Sequence, residues 1–363
     1  MPAPLSCPDC GATYEDRWRC TCGAPLAFAD RPLPDGPAPD PFEVNRDRGL
    51  WAFDDFLPVD REVTLGEGWT PLIPAPEWDA TFKLEYVFPT GSFKDRGAAT
   101  TLSRAVELGV DTVVEDSSGN AGAAIATYAA RAGLDARIYV PAGVKASKLR
   151  AIERAGATPV RVEGSREDVT AACIEAVERG EGWYASHAWN PAFFAGTATM
   201  ALEIAAQRGW SVPDAVVTPL GHGTLFLGAY RGFCALRDAG WVESVPRLLG
   251  AQAAGYAPIA DALHGGGDET NGDETNEVAD GIQIRDPVQR AAILDAVRET
   301  DGDVVALSEG AVERELDALH ARGFYTEPTC ATAPAALREF RERGVVESDD
   351  DVVVALTGSG LKG

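Results

Sequence analysis

The amino-acid sequence predicts an α/β fold organised around parallel, doubly wound sheet. Three observations carry this expectation. From about residue 61, short β-branched runs alternate with Ala-rich stretches of helical spacing, the rhythm of strand–helix–strand units. The 363 residues are 45% hydrophobic, which at ~150 residues per domain is material for about two to three units with cores of their own. Gly, Ser, Thr and Asn cluster where predicted strands give way to predicted helices, the places where open α/β sheets bind ligands.

In chain order, residues 1–30 come first. Cys7, Cys10, Cys20 and Cys22 form a Cys-x2-Cys and a Cys-x-Cys pair, each followed directly by glycine, Gly11 and Gly23. So short a segment buries too little surface to fold without a staple. Two Cys pairs followed by Gly predict a tetrahedral four-thiolate Zn(2+) site, structural because no coordination position stays open. Four free thiols or two disulfides are the alternatives, and a reducing compartment disfavours the disulfides. Residues 31–60, with a Pro- and Asp-rich stretch over 30–41, read as a linker, and residues 61–363 as the main folded region. Strands are expected at 81–86, 112–115, 137–140, 159–162, 215–218, 247–250 and 351–356, with helices such as 98–108, 121–132 and 198–207 between them. Cys173, Cys234 and Cys330 read as small core residues. The tandem Gly-Asp-Glu-Thr-Asn repeat of 267–276 lies in a run without apolar residues, and reads as a solvated surface insertion.

Charge narrows the function classes. The formal net charge is −24, which argues against a nucleic-acid partner, since that needs a basic footprint. No apolar run reaches the ~18 residues of a membrane span, and the first residues show neither a basic nor an apolar leader region, so a cytoplasmic protein is expected. Of the 32 basic residues only five are Lys, namely Lys83, Lys94, Lys145, Lys148 and Lys362. High acidity with little Lys fits a halophilic protein, in which salt screens repulsion among surface carboxylates.

Four strand-to-helix junctions carry candidate chemistry. Lys94, in Gly91-Ser92-Phe93-Lys94-Asp95-Arg96-Gly97, sits at a tight turn before a helix. A helix N-terminus and partial burial both disfavour the ammonium form and free the amine as a nucleophile for a carbonyl. By these physics alone an ion-pairing surface lysine stays open. Asn120, in Ser117-Ser118-Gly119-Asn120-Ala121-Gly122, reads either as part of an ordinary helix cap or as a polar group brought close to a ligand. Gly221, His222, Gly223 and Thr224 offer converging backbone N–H groups for an anion at a helix start, with His222 either an added donor or a structural residue. Thr357 and Ser359, after the last apolar strand, place neutral hydroxyls at a strand end.

A lysine, an amide side chain, an anion cradle and a neutral hydroxyl match the needs of pyridoxal 5'-phosphate. With these residues in view, the chain resembles the fold-type II pyridoxal-phosphate enzymes, most closely the threonine synthase branch. The resemblance runs over nearly the whole chain, through the N-terminal cysteines, Gly66-Glu67-Gly68-Trp69-Thr70-Pro71-Leu72, the strings around Lys94 and Asn120, Ala279-Asp280-Gly281, Glu327-Pro328-Thr329 and Thr357-Gly358-Ser359-Gly360-Leu361-Lys362. It implies two lobes of doubly wound sheet with the cofactor between them, plus a small zinc-ribbon-like N-terminal knob. It implies that Lys94 holds the cofactor and acts as general base, that Asn120 bonds the ring hydroxyl oxygen, that the amides around Gly221, Gly223 and Thr224 hold the phosphate, and that Thr357, or failing it Ser359, meets the pyridine nitrogen.

The activity implied is that of a lyase forming threonine and phosphate from O-phosphohomoserine and water. The sequence departs from the family at Asn190-Pro191, which members follow with charged positions that help handle the substrate phosphate; here those positions hold Phe193, Ala195 and Ala198. Thr224 likewise stands where a small Gly is common. The alternative is that another residue, such as Arg150 or Arg154, compensates for the missing charge. A threonine or serine dehydratase, or a β-replacement enzyme of the cysteine or cysteate synthase type, shares every cofactor residue, and an inactive zinc-ribbon binding protein is the non-enzyme alternative. The expected partners are a small amino-acid substrate and a second copy of the chain in a homodimer.

Overall fold

The computed structural model describes residues 1–265 and 275–362. Three short strands open the chain: β1 (Leu5–Ser6), β2 (Thr13–Tyr14) and β3 (Ala27–Phe28). The strands β4 (Leu72–Ala75) and β5 (Ala80–Lys83) precede a regular alternation. It runs α1 (Lys94–Glu107), β6 (Thr112–Glu115), α2 (Asn120–Ala132), β7 (Asp135–Pro141), α3 (Ala146–Arg154), β8 (Thr158–Val162), α4 (Arg166–Glu178) and β9 (Trp183–Tyr184). The chain continues with α5 (Pro191–Gln207), β10 (Ala215–Pro219), α6 (Thr224–Asp238), β11 (Arg247–Ala253) and α7 (Pro258–His264). It closes with α8 (Arg290–Glu299), β12 (Asp303–Leu307), α9 (Glu309–Ala321), α10 (Pro328–Glu342) and β13 (Val352–Ala355). Two compact units result, one of residues 1–34, 45–68 and 94–197, the other of residues 35–44, 69–93 and 198 onward.

The first unit contains a parallel four-stranded sheet in the order β8-β7-β6-β9. Side chains alternate across a strand, so both faces must be apolar where helices cover both. Val113, Ile138 and Val140 join one core with Leu102 of α1, Ile125 and Tyr128 of α2 and Leu149 of α3. Val114 and Tyr139 join the opposite core with Val169 and Cys173 of α4. β1 pairs with β2 and β3 in an antiparallel sheet of its own. Residues 46–56, inside the stretch expected as linker, form 3-10 turns that bury Leu50, Trp51, Phe53 and Phe56.

The second unit is built on a six-stranded sheet, β12-β11-β10-β13-β5-β4, parallel except for the edge strand β4. Pro74 in β4 is tolerable at an edge, where a missing donor breaks no ladder. Val217, Leu249, Val305, Val352 and Phe82 pack against Val312 of α9 and Leu337 and Phe340 of α10. No helix among the described residues is long and apolar enough to cross a membrane.

The sequence reading misses β1 to β4, β9 and β12 and starts α5 seven residues late. β9 is only two residues, too short for periodicity to register. α5 starts at Pro191 because the Asn190 side chain accepts from the Ala192 N–H at 3.0 Å, a cap followed by proline in the first turn. Most of the acidic tandem repeat lies outside the described residues. Its last position, Asn276, is fully buried rather than solvated, donating to Leu307 O at 3.0 Å and accepting from the Ala279 N–H at 3.0 Å. A short amide can satisfy itself in the interior by bonding backbone, with no apolar surface of its own.

Lys83 is fully buried at the end of β5, and its ammonium donates to Glu203 Oε2, Gln207 Oε1 and Thr70 O, each at 2.8 Å. All three donors of the lysine are thereby used. Lys83→Met should therefore cost about 3–5 kcal/mol in urea unfolding by stranding a buried carboxylate, and adding Glu203→Leu should recover most of that loss.

Candidate functional site

Unit one places two of the expected residues at the starts of neighbouring helices. Lys94 is the first residue of α1 and partly buried. Asn120 is the first residue of α2, and Gly119 rather than Asn120 occupies the cap. The two helices pack side by side. α2 follows β6, so Asn120 stands at the carboxyl edge of that unit's parallel sheet. Gly97, one turn into α1, must be glycine: a Cβ there would lie 2.1 Å from the ring of Phe193.

Behind these helix starts lies a buried acid that the sequence analysis did not single out. Glu67 is 1% exposed, and its carboxylate accepts from Trp51 Nε1 at 3.0 Å, Thr64 Oγ1 at 3.1 Å, the Leu65 N–H at 2.7 Å and the Tyr128 hydroxyl at 3.0 Å. Tyr128 belongs to α2, and its oxygen is also 3.5 Å from Asp95, the neighbour of Lys94. Burial, with Asp95 and Glu67 beside it, pushes the Tyr128 hydroxyl well above its usual range and keeps it a donor. The Gly-Glu-Gly string carried the signal: an acid between two glycines beside an apolar run.

In unit two, Gly221, His222, Gly223 and Thr224 link β10 to α6, and Thr357 follows β13, the parallel neighbour of β10. Gly223 caps α6 in the left-handed region at φ 78°, and a Cβ on it would press on Ile293 at 2.6 Å. The Gly221 and Gly223 amides have no backbone acceptor among the described residues, and the first-turn amides of any helix lack intrahelical ones. The turn 91–93 is laced to the loop 357–359: Phe93 N–H donates to Thr357 O at 3.1 Å, Ser359 N–H donates to Gly91 O at 2.9 Å, and Ser92 bridges Gly358. Ser92 Oγ and Thr326 Oγ1, on either side of this loop, are buried without a hydrogen-bond partner among the described residues. Thr357 N–H meets Cys330 Sγ at 3.1 Å, and burial raises that thiol to about 12, so it stays neutral.

The four N-terminal cysteines converge. Their Sγ atoms all lie within 4.8 Å of one another, with Cys7–Cys22 at 3.6 Å and Cys10–Cys20 at 3.4 Å. Four thiolates about 2.3 Å from one zinc stand about 3.8 Å apart, so the donor set fits that ion. Each pair forms a matching knuckle, with Gly11 N–H on Cys7 O and Gly23 N–H on Cys20 O. The Tyr14 hydroxyl, 3.2 Å from Cys20 Sγ, brings that thiol down to about 5. The knob is held to its unit by Trp18, edge-on to Tyr184 and Trp189, and by Asp16, which accepts from Trp183 Nε1 at 2.8 Å.

Phe193 is fully buried in the first turn of α5, and Ala195 and Ala198 lie on the same helix. Arg150 and Arg154 are exposed on α3. Two groups to which the sequence reading gave no role are better buried: Arg96, in the first turn of α1, and the pair Glu115–His187, whose Oε1 and Nδ1 are 2.7 Å apart.

Comparison with known proteins follows this geometry. Residues 63–358 match the family described as pyridoxal-phosphate dependent enzyme. The chain is 34% identical to a threonine synthase of Methanosarcina acetivorans, over 86% of this chain and 80% of that protein. It is 31% identical to a threonine synthase of Methanocaldococcus jannaschii, over 98% of this chain and 92% of that protein. Among solved structures it is similar in fold to maize serine racemase, with a TM-score of 0.67 at 22% identity over 80% of this chain and 88% of that one. A fungal L-serine ammonia-lyase from Rhizomucor miehei gives a TM-score of 0.66 at 23% identity, over 80% of this chain and 93% of that one.

Glu67→Ala should unfold at lower urea by about 3 kcal/mol or more, because it strands the Trp51, Tyr128 and Leu65 donors. A loss below about 1 kcal/mol would show that water replaces the carboxylate without cost.

Proposed function

The chain belongs to the family of pyridoxal-phosphate-dependent enzymes, and on that premise we propose that this lyase converts O-phosphohomoserine and water to threonine and phosphate. Supporting the substrate is its similarity to proteins named threonine synthase over most of its length. The observation that carries the reading is structural: the lysine that opens α1 directly follows a turn laced by backbone hydrogen bonds to the loop holding Thr357. The residues fit the cofactor, because a polar ligand would give Ser92 Oγ and Thr326 Oγ1 the environment they otherwise lack.

Pyridoxal phosphate, when bound, supplies an aldehyde carbon for amines and a conjugated ring that accepts electron density from the substrate Cα. Lys94 would hold it and then, as the free amine, take the proton from Cα and return it. Asn120 would donate to the ring hydroxyl oxygen. The amides of Gly221, His222, Gly223 and Thr224 would take the phosphate, as helix N-termini do for anions. Thr357, or second to it Ser359, would meet the pyridine nitrogen with a neutral hydroxyl, which does not hold the ring protonated as a carboxylate would.

Cys7, Cys10, Cys20 and Cys22 would hold Zn(2+) as a closed structural site, and the acidic, Lys-poor composition suits work in concentrated salt. A second reading has one specific observation in its favour. With Phe193 buried and Ala195 and Ala198 beside it on α5, a substrate without a phosphate suits this helix, as for a serine or threonine dehydratase or a β-replacement enzyme.

Phosphate release from O-phosphohomoserine, measured in molar KCl on yellow, cofactor-loaded protein, should accompany threonine formation. Deamination of serine or threonine without such release would instead establish the second reading. Lys94→Ala should lose both the yellow band and turnover; activity retained in that variant would overturn the assignment. The protein should carry about one zinc per chain. Cys10→Ser should lose the ion and melt earlier while the folded fraction keeps its turnover per cofactor. Loss of turnover in still-folded, metal-free protein would refute the structural role.

A further inference from the structure

β6 and β9 are parallel neighbours, with Val113 opposite Trp183 and Val114 opposite Tyr184, so the chain leaves both strands at the same edge of the sheet. β6 ends in Glu115 and leads through Ser117 to Asn120, while β9 leads to His187. Glu115 is fully buried, its Oε1 lies 2.7 Å from His187 Nδ1, and its Oε2 has no hydrogen-bond partner among the described residues. The neighbouring Asp116 is engaged differently, accepting from the Tyr184 hydroxyl at 2.9 Å and from Thr170 Oγ1 at 2.6 Å.

One proton lies between Glu115 and His187, and charge decides how many more the pair holds. The charged groups acting on Glu115 are Asp116, Lys94 and Arg166; the His187 backbone N–H and imidazole both face it, with Cys173 and Tyr184 packed nearby from α4 and β9. Burial first, then Asp116, raises the Glu115 carboxyl well above its usual range in spite of Lys94 and Arg166. Cys173 and Tyr184 are raised by burial and stay neutral. A pair with one negative charge, carboxylate against an imidazole with a bare Nε2, would be a buried anion beside another anion, which costs several kcal/mol. The neutral pair avoids this in two forms, carboxylic acid donating to Nδ1 or imidazolium donating to carboxylate. In both forms Nε2 carries a hydrogen.

We propose that Glu115 fixes His187 as an Nε2–H donor, and that this donor serves an anionic oxygen of the amino-acid substrate, carboxylate or phosphate, at the edge marked by Lys94 and Asn120. His187 binds and Glu115 positions. The inference rests on the proposed reading of Lys94 as the centre of an amino-acid site, and it answers that reading's open point. α5 lacks charged side chains at 193, 195 and 198, whereas the loop just before it holds a proton donor whose state is locked by a buried acid.

The test uses the histidine nitrogens directly, since the chain has only four histidines to assign. In cofactor-loaded protein labelled with 15N-histidine, His187 should show a protonated Nε2 from pH 6 to 9. In Glu115→Gln, whose amide can pair with Nδ1 as donor or acceptor, both tautomers should appear and His187 should titrate near the usual value of about 6.5. A bare Nε2 in the wild type would overturn the proposal.

In turnover, His187→Phe should raise KM about tenfold, the equivalent of one charge-assisted hydrogen bond, with kcat little changed. His187→Gln, which keeps an N–H donor, should recover most of that loss. A rise with O-phosphohomoserine alone identifies the phosphate as the oxygen served, and a rise with serine and threonine as well identifies the carboxylate. Unchanged KM for every substrate that the wild type turns over would overturn the proposal. If the wild type turns over none of them, the functional reading fails separately, and the His187 Nε2 resonance decides alone. It should then move on adding inorganic phosphate or serine, and no movement with either overturns the proposal.

Discussion

The position of Lys94 depends on the backbone lacing between the turn 91–93 and the loop 357–359. Phe93 and Ser359 donate across it to Thr357 and Gly91, and Ser92 bridges Gly358. The lysine at 94 directly follows the last laced residue, so its backbone starts from a fixed point. That is the arrangement required of a group that must first hold a cofactor and later carry a proton. The sheet supplies the anchor: β13 is buried along its length between β10 and β5, so the loop leaving it emerges from the middle of that sheet.

A second constraint is the handling of acids in a chain with so few lysines. Surface carboxylates need only water, but the buried ones need partners, and the structure finds them among neutral donors. Glu67 is satisfied by an indole, two hydroxyls and a backbone amide, and the half-buried Asp116 by a tyrosine and a threonine. Such acids need no buried cation to fill their hydrogen-bonding capacity, because neutral N–H and O–H donors do so. Lys83–Glu203 is the contrasting solution, a fully buried ion pair with every ammonium hydrogen used. Glu115 has neither arrangement: one of its oxygens faces no donor, which is why it is the acid that keeps its proton or shares it with His187.

Much of this was legible from sequence because parallel strands buried on both faces appear as unbroken β-branched runs. The runs at 112–115, 215–218 and 351–356 mark β6, β10 and β13 to within two residues. The junctions were legible for the same reason, since polar strings such as Ser-Ser-Gly-Asn stand out against apolar strands. What escaped detection depends on distant pairing. β9 is two residues whose strand character exists only because β6 lies beside it. Asn276 looks solvated in its acidic run, and its burial depends on Leu307 and Ala254, which no local pattern announces. Glu115 and His187 are 72 residues apart, and each alone looks ordinary; their meaning is in the 2.7 Å between them.

The composition of α5 acquires its sense from packing. Phe193 is held against Gly97 and edge-on to His187, and Gly196 admits the backbone of Arg96 at a distance that any side chain would close. Farther along, Ala198 O faces Gly232 of α6, where a Cβ would approach to 2.3 Å. Gly97, Gly196 and Gly232 thus mark close helix crossings, and Phe193 fills the space left by Gly97. Recognition of an anion must then come from groups whose bulk is elsewhere, and a histidine on the preceding loop or an arginine in the first turn of α1 meets that condition. A hydrogen bond to a charged group contributes about 1.5–3 kcal/mol, which is what a locked imidazole N–H has to offer an anion.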